Sequence, residues 1–170
     1  GGWIFYDRGS YSDGWRYLEV AVDTGTYGRV KWGCSGKSIP GAKGTAIGSG
    51  KANTEAIIKN CRDEKTAAKK AAAYRGGGKT DWFLPSKDEL QELIDILGAD
   101  DVIGGGPYTY WSSTEAGPSE AWLDTYYGDN RQEKEKKEGL QAGADRYISK
   151  PFSYEELGKE IKDILSTGYS

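Results

Sequence analysis

The order of apolar and polar residues first predicts β-structure. Residues 3–6 and 15–22 are aromatic and β-branched stretches of the kind found in strands, and the turn-rich residues 8–14 lie between them. We therefore expect a hairpin-like start. Residues 24–50 are rich in Gly, Ser and Lys and contain one Pro, which favours a long irregular loop over regular structure.

Apolar residues then recur at helical spacing. We expect a short helix at residues 52–61 and another at residues 66–75, where four alanines share one face and three glycines follow as a stop. Ser86 and Glu89 have the spacing of a capping box, in which each side chain bonds the backbone N–H of the other residue. A third helix is predicted there, with an apolar stripe formed by Leu90, Leu93, Ile94 and Leu97.

A second pair of strands is predicted at residues 108–114 and 121–127, joined by residues 115–118. Successive side chains of a strand point to opposite faces of a sheet. One face of the latter strand therefore carries Trp122, Asp124 and Tyr126, and the other carries Ala121, Leu123, Thr125 and Tyr127.

The chain changes character after Asn130. Residues 131–138 are almost wholly charged, which is typical of a solvated helix face or a linker. A short strand is predicted at residues 146–149, and the capping-box pair Ser153 and Glu156 introduces a terminal helix. The tail therefore has the pattern helix, strand, helix, attached to a domain of mixed structure.

Length and composition limit the function. The 170 residues suffice for one domain, or for one domain and a small appendage. The net charge of -3, with Lys and Glu interspersed, argues against nucleic acid, and no apolar run approaches the length that crosses a bilayer. The chain has no His, which excludes Ser-His-Asp and Cys-His catalysis. Enrichment in Gly, Tyr and Trp instead suits a rigid binding surface.

Five ordered blocks of sequence resemble a bacterial domain family once called DUF1566, associated with the C-terminal domain of a Legionella collagen-like adhesin. The blocks are GWRYLE (14–19), WGC (32–34), GTAIGSGKANT (44–54), DWFLPSKDEL (81–90) and YWSSTE (110–115). The resemblance implies a C-type-lectin-like fold, often in surface or secreted proteins. Some relatives are the variable binding proteins of diversity-generating retroelements. We therefore expect an α+β ligand-binding domain at residues 1–130.

The end of the chain departs from that family, whose members usually close the sheet with a strand resembling Val-Arg-Pro-Val-Arg. Residues 139–157 instead resemble the last quarter of a response-regulator receiver domain. Lys150 and Pro151 match the pair that ends the fifth strand of that family, in which the Lys contacts an aspartyl phosphate. The phosphoacceptor would lie upstream, where the chain is lectin-like, so we do not expect phosphotransfer.

Two explanations of this join stay open. The chain is a natural or engineered chimera, with a charged connector at residues 131–138 and a receiver-like fragment at residues 139–170. In the other explanation, residues 146–152 supply the missing last strand of the lectin-like sheet. The chain does not begin with Met, so we expect an excerpt or a processed product in which any signal peptide is not visible.

No motif indicates a cofactor or a metal. Residues 48–51 and 76–80 suggest phosphate-binding loops, but the spacing rejects both, because Thr45 and Ala73 stand where a leading Gly is required. Cys34 and Cys61 are too few for a zinc site without His. They form a disulfide if the chain is secreted and are free buried thiols if it is cytosolic; the resemblance to surface proteins favours the disulfide.

The resemblance also implies where a ligand binds, because residues 110–131 match the exposed, variable region of the retroelement relatives. The candidate ligand-binding residues are Tyr108, Tyr110, Glu120, Trp122, Asp124, Tyr126, Asp129, Asn130 and Arg131. Trp111, inside a family block, is expected in the core, and for Trp122 the same alternative stays open.

We expect non-catalytic recognition of a glycan or a protein at the cell surface or outside the cell, with a cytoplasmic location as the alternative. Carboxylates are plentiful, but no motif singles out a catalytic pair, so an enzyme is not expected. The competing hypothesis is a two-component signalling fragment whose receiver-like tail docks to a partner. The sequence does not determine the oligomeric state.

Overall fold

A computed structural model describes residues 2–21, 30–97, 108–126, 132–138 and 150–152. Within these ranges strands and helices are mixed, which confirms the α+β class. The elements in chain order are β1 (Trp3–Ser12), β2 (Trp15–Val20), α1 (Gly50–Asn60), α2 (Ala67–Ala73), a 3-10 turn (Gly76–Gly78), α3 (Lys87–Leu97), β3 (Tyr108–Gly117), β4 (Glu120–Tyr126), β5 (Gln132–Glu138) and β6 (Lys150–Phe152).

The expected N-terminal hairpin is present and is longer than the sequence pattern indicates. β1 and β2 pair antiparallel, and Asp13 and Gly14 form the turn between them with φ of 52° and 86°. Positive φ at both central residues suits a two-residue turn that follows the twist of the strands, and Asp-Gly is a favoured pair for it. The turn-rich segment after Tyr6 is therefore mostly strand.

β6 adds to the other edge of β2, so that the first sheet has the order β1-β2-β6. Leu18 lies opposite Pro151 and Glu19 lies opposite Lys150 in an antiparallel register. The described part of the segment proposed to supply a closing strand thus pairs into the N-terminal sheet. Residues 146–149, as well as the terminal helix predicted after Ser153, lie outside the described residues.

β3, β4 and β5 form the second sheet, in that order. Tyr110 lies opposite Asp124, and Trp111 lies opposite Leu123. The charged run was expected to be a connector, but residues 132–138 form β5 and pair with the whole of β4. In the described sheet β5 is an edge strand, where charged side chains are favoured because they discourage pairing with another chain. A strongly charged composition therefore does not exclude a strand.

The apolar core consists of two clusters. The first joins α1 and α2 to Trp32, Trp111 and Leu123, and the second joins β1, β2 and α3 to Tyr110. Trp111 is fully buried, as expected, and its indole N–H donates to the backbone carbonyl of Val30 over 2.8 Å. Because neighbouring residues of β3 enter different clusters, both faces of the β3–β4 hairpin are covered at this point.

Candidate functional site

The structure divides the predicted ligand-binding residues into buried and accessible ones. Tyr110 and Asp124 are only 2% and 3% exposed, so their expected place on an exposed binding surface is wrong. Helix α3 packs on this face of the hairpin, and Tyr110 joins Leu90, Leu93 and Ile94 in the second core cluster. Strand alternation placed Asp124 on the same face as Trp122, but it carries no information about which face a helix covers.

Trp122 and Glu120 remain partly accessible. The ammonium group of Lys87 lies over the Trp122 ring, 5.1 Å from its centroid, which is within the range of a cation–π contact. A depression beside them has a volume of about 10 Å³, enough for roughly one water molecule. We name Glu120, Trp122 and Lys87 the Trp122 surface.

The other predicted ligand-binding residues are Tyr108, Tyr126, Asp129, Asn130 and Arg131. Tyr108 and Tyr126 lie opposite each other in the β3–β4 register, but their side chains are outside the described structure. Asp129, Asn130 and Arg131 lie outside the described residues.

Two buried carboxylates hold the irregular loop in place. Glu115 accepts hydrogen bonds from the Ser38 hydroxyl and the Ile39 backbone N–H, both over 3.0 Å. Glu89 accepts bonds from the backbone N–H groups of Gly48 over 2.7 Å and Ser86 over 2.6 Å. Both carboxylates are nearly inaccessible to solvent, so they serve the fold as acceptors rather than facing a ligand.

The capping box predicted at the start of α3 is confirmed and does more than cap the helix. Glu89 N–H donates to the Ser86 hydroxyl over 3.3 Å, and Ser86 N–H donates in turn to the Glu89 carboxylate. The same carboxylate also accepts from Gly48 and Gly50. Burial raises the pKa of the Glu89 carboxyl above its usual value, and these hydrogen bonds partly offset the rise.

The hydrogen bonds to Glu89 explain why residues 48–51 do not act as a phosphate loop, although their sequence resembles one. A phosphate loop presents its backbone N–H groups to a bound phosphate. Here the N–H groups of Gly48 and Gly50 are directed to the Glu89 carboxylate, which would repel an anion. The segment is a turn that leads into α1, as the spacing argument concluded.

Further side chains fix the same loop. Asn53 donates to the Gly44 carbonyl over 2.6 Å and accepts from Gly44 N–H over 3.1 Å. Cys34 and Cys61, the candidate disulfide pair, are joined in the structure and tie the loop to the end of α1. The long segment between β2 and α1 is thus irregular in shape but, where it is described, firmly held.

A cleft that the sequence did not indicate lies beside the N-terminal hairpin, with a volume of about 290 Å³. Its lining combines residues of the β1–β2 turn, β2, the loop before α1, α1 and the segment before α3: Asp13, Trp15, Leu18, Gly48, Lys51, Ala52, Glu55 and Phe83. The available signal was the pair Lys51 and Glu55, spaced for one exposed helix face, although that pattern is common on solvated helices.

Neither a metal-binding cluster nor a membrane-spanning helix occurs in the described part of the chain. No group of three or more Cys, Asp or Glu side chains in those residues is arranged to hold a metal ion. None of the described helices has both the length and the apolar character needed to span a membrane.

Lys150 and Pro151, the receiver-like pair, lie in β6 beside β2. The register places Lys150 opposite Glu19, a fully buried residue of β2. Comparisons of the chain with protein families, curated proteins and solved structures give no match. The residues themselves must therefore support any functional assignment.

Proposed function

We propose that this protein is a non-catalytic recognition module with a C-type-lectin-like fold, which binds a glycan or a protein. The observation that carries the proposal is the firmly held irregular loop, which contributes Gly48 to the lining of the cleft beside the N-terminal hairpin. Ordering a surface segment before a ligand arrives lowers the entropy lost on binding, which is how recognition domains gain affinity from irregular backbone. Here Glu89, Glu115, Asn53 and the disulfide do this ordering.

The pairing of β6 with β2 supports the lectin-like fold. The last strand of that family pairs near the N-terminal strand, and here Lys150–Phe152 pairs with β2, which is the direct neighbour of the N-terminal strand β1. Amide exchange tests this part of the proposal, because rapid exchange throughout residues 146–152 in the folded protein is incompatible with stable pairing.

The disulfide supports a location at the cell surface or outside the cell, because disulfides persist in oxidising compartments. Mass spectrometry of the protein from its natural compartment checks this. A mass two hydrogens lower than that of the reduced protein is expected, and free thiols would favour the cytoplasm instead.

The recognition surface that we propose includes Trp122, Lys87 and Glu120. The half-buried indole of Trp122, with the Lys87 ammonium group over its ring, offers a large and rigid contact area at its edge. Asp129, Asn130 and Arg131 remain candidates from the sequence resemblance alone.

Parallel glycan and protein arrays test the recognition function directly. We expect at least one class of ligand to be retained, and Trp122→Ala to reduce its binding. Tyr11→Ala is the matched control, because Tyr11 is an aromatic residue that is 53% exposed on a different sheet. If neither the glycan array nor the protein array retains a ligand, the recognition function is refuted.

The signalling hypothesis makes a different prediction. Incubation with acetyl phosphate followed by intact-mass measurement would give a phosphorylated Asp if the chain were a functional receiver. We expect no such adduct, and a stable aspartyl phosphate would overturn the recognition proposal.

A further inference from the structure

Two clefts adjoin on the outer face of α1. The first, of about 290 Å³, is lined by Trp15 and Asp13, and the second, of about 220 Å³, by Trp82 and Asp81. Lys51, Glu55 and Phe83 line both. The two clefts are therefore successive parts of one groove, which we name the α1 groove.

The Trp15 ring at one end of the α1 groove is held in position. The Arg8 guanidinium lies 4.5 Å from the ring centroid, and the Tyr6 ring packs at 6.4 Å. Gly48 approaches so closely that a Cβ there would lie 3.0 Å from the Trp15 ring, and its φ of 97° also favours glycine. The indole is thus a preformed wall of the groove.

The second cleft is also built around a fixed indole. Trp82 is buried, donates to the Gly76 carbonyl over 3.2 Å and packs edge-on against Tyr74 at 5.4 Å. Each part of the groove therefore has an aromatic side chain of defined orientation, but Trp82 is only 4% exposed, so Trp15 is the indole that offers its surface to a ligand.

Charged groups of both signs lie between the two aromatic elements. Lys51 and Glu55 are exposed and one helical turn apart, with Lys first, which is the less favourable order for an ion pair. Neither forms an ion pair or a side-chain hydrogen bond with any residue that the structure describes. Their donor and acceptor groups are therefore available to a ligand.

This combination indicates the chemistry of the ligand. Indole rings suit the apolar faces of a pyranose, while carboxylates and an ammonium group bond to its hydroxyls. The carboxylates of Asp13, Glu55 and Asp81 outnumber the Lys51 ammonium group in the lining, which disfavours an anionic ligand. Two adjoining clefts fit two or more linked rings better than one small molecule.

We propose that the α1 groove binds a short oligosaccharide without anionic groups, with one sugar ring against Trp15 and with Lys51 and Glu55 bonding the hydroxyls of that ring and the next. This inference rests on the proposed recognition function and names its ligand class. It places the ligand on residues other than the Trp122 surface, so the α1 groove proposal and the recognition function can fail separately.

An NMR titration of the full chain with cellotriose, maltotriose and chitotriose tests the proposal. We expect at least one of the three to shift the backbone amides of residues 48–55, with a dissociation constant below about 10 mM. The double variant Lys51→Ala, Glu55→Ala changes only exposed helix positions and should weaken that binding at least about fivefold. Lys59→Ala, on the last turn of the same helix, is the matched control and should bind normally.

Two results would overturn the α1 groove proposal. One is the absence of amide shifts with all three trisaccharides. The other is trisaccharide binding that the double variant leaves unchanged. If Trp122→Ala removes that binding while the double variant retains it, the recognition function stands and its site is the Trp122 surface. If neither array detects a ligand, the recognition function itself fails.

Discussion

Replacement of Glu89 by Gln tests the central claim about how the irregular loop is held. The Glu89 carboxylate is 0% exposed and accepts backbone hydrogen bonds from Gly48, Gly50 and Ser86. An amide keeps the shape of the side chain but presents an NH2 group where an oxygen accepted. At least one buried N–H then faces another donor and loses its partner.

The magnitude follows from the number of acceptors removed. A buried donor left without a partner costs about 1–3 kcal/mol, and bonds to a charged acceptor lie at the upper end. We therefore expect Glu89→Gln to lower the free energy of unfolding by about 3 kcal/mol. Glu89→Ala, which removes both oxygens, should lower it further.

Urea unfolding followed by tryptophan fluorescence measures this difference. Glu92→Gln is the matched control, because Glu92 lies on the same helix but is partly exposed. We expect the control to change stability by less than about 0.5 kcal/mol, as is usual at surface positions. If Glu89→Gln also falls within that range, the carboxylate does not hold the loop as described.

Four further expectations concern pH, the disulfide, a glycine and a buried indole. Burial raises the pKa of Glu89 above its ordinary value of 4.5, so the folded state binds the proton of this carboxyl more tightly than the unfolded state does. This contribution to the free energy of unfolding is fully present below pH 4.5 and is lost as the pH rises through the folded pKa. The stability of the wild type relative to Glu89→Gln should therefore fall with rising pH across that window, and urea titrations that show a rise would contradict the direction of the shift. Reducing the bond between Cys34 and Cys61, which are 27 residues apart, should destabilise the protein by about 3.5 kcal/mol in the chain-entropy estimate, measured as the urea midpoint with and without reductant. Gly48→Ala should cost about 1–2 kcal/mol, because alanine is strained at positive φ, and an unchanged melting temperature would exclude this reasoning. Trp111→Phe removes a buried hydrogen bond and should lower the free energy of unfolding, measured with urea, by about 2 kcal/mol.

The local parts of the fold were predictable from the sequence. The capping box of Ser86 and Glu89 sets the start of α3 through contacts three residues apart, and spacing alone reveals such contacts. The bonds from Glu89 to Gly48 and Gly50 were not predictable, since they join positions about 40 residues apart with no repeating pattern.

Two errors have a common physical origin. Tyr110 was placed on an exposed surface, and residues 132–138 were placed in a connector. Whether a face is exposed depends on the docking of α3, and whether a charged segment forms a strand depends on the open edge of β4 beside it. Both are tertiary effects, which composition and alternation do not encode.

The pairing of Lys150–Phe152 with β2 joins segments about 130 residues apart along the chain. Contacts of such long separation slow folding, because the entropy of closing the loop is lost before the contact is gained. During synthesis on the ribosome, β2 is made well before its partner, and its edge is open to another strand in the meantime. Two completed chains in which β6 has not yet docked can therefore exchange it, which gives a domain-swapped dimer with the same strand pairing as the monomer.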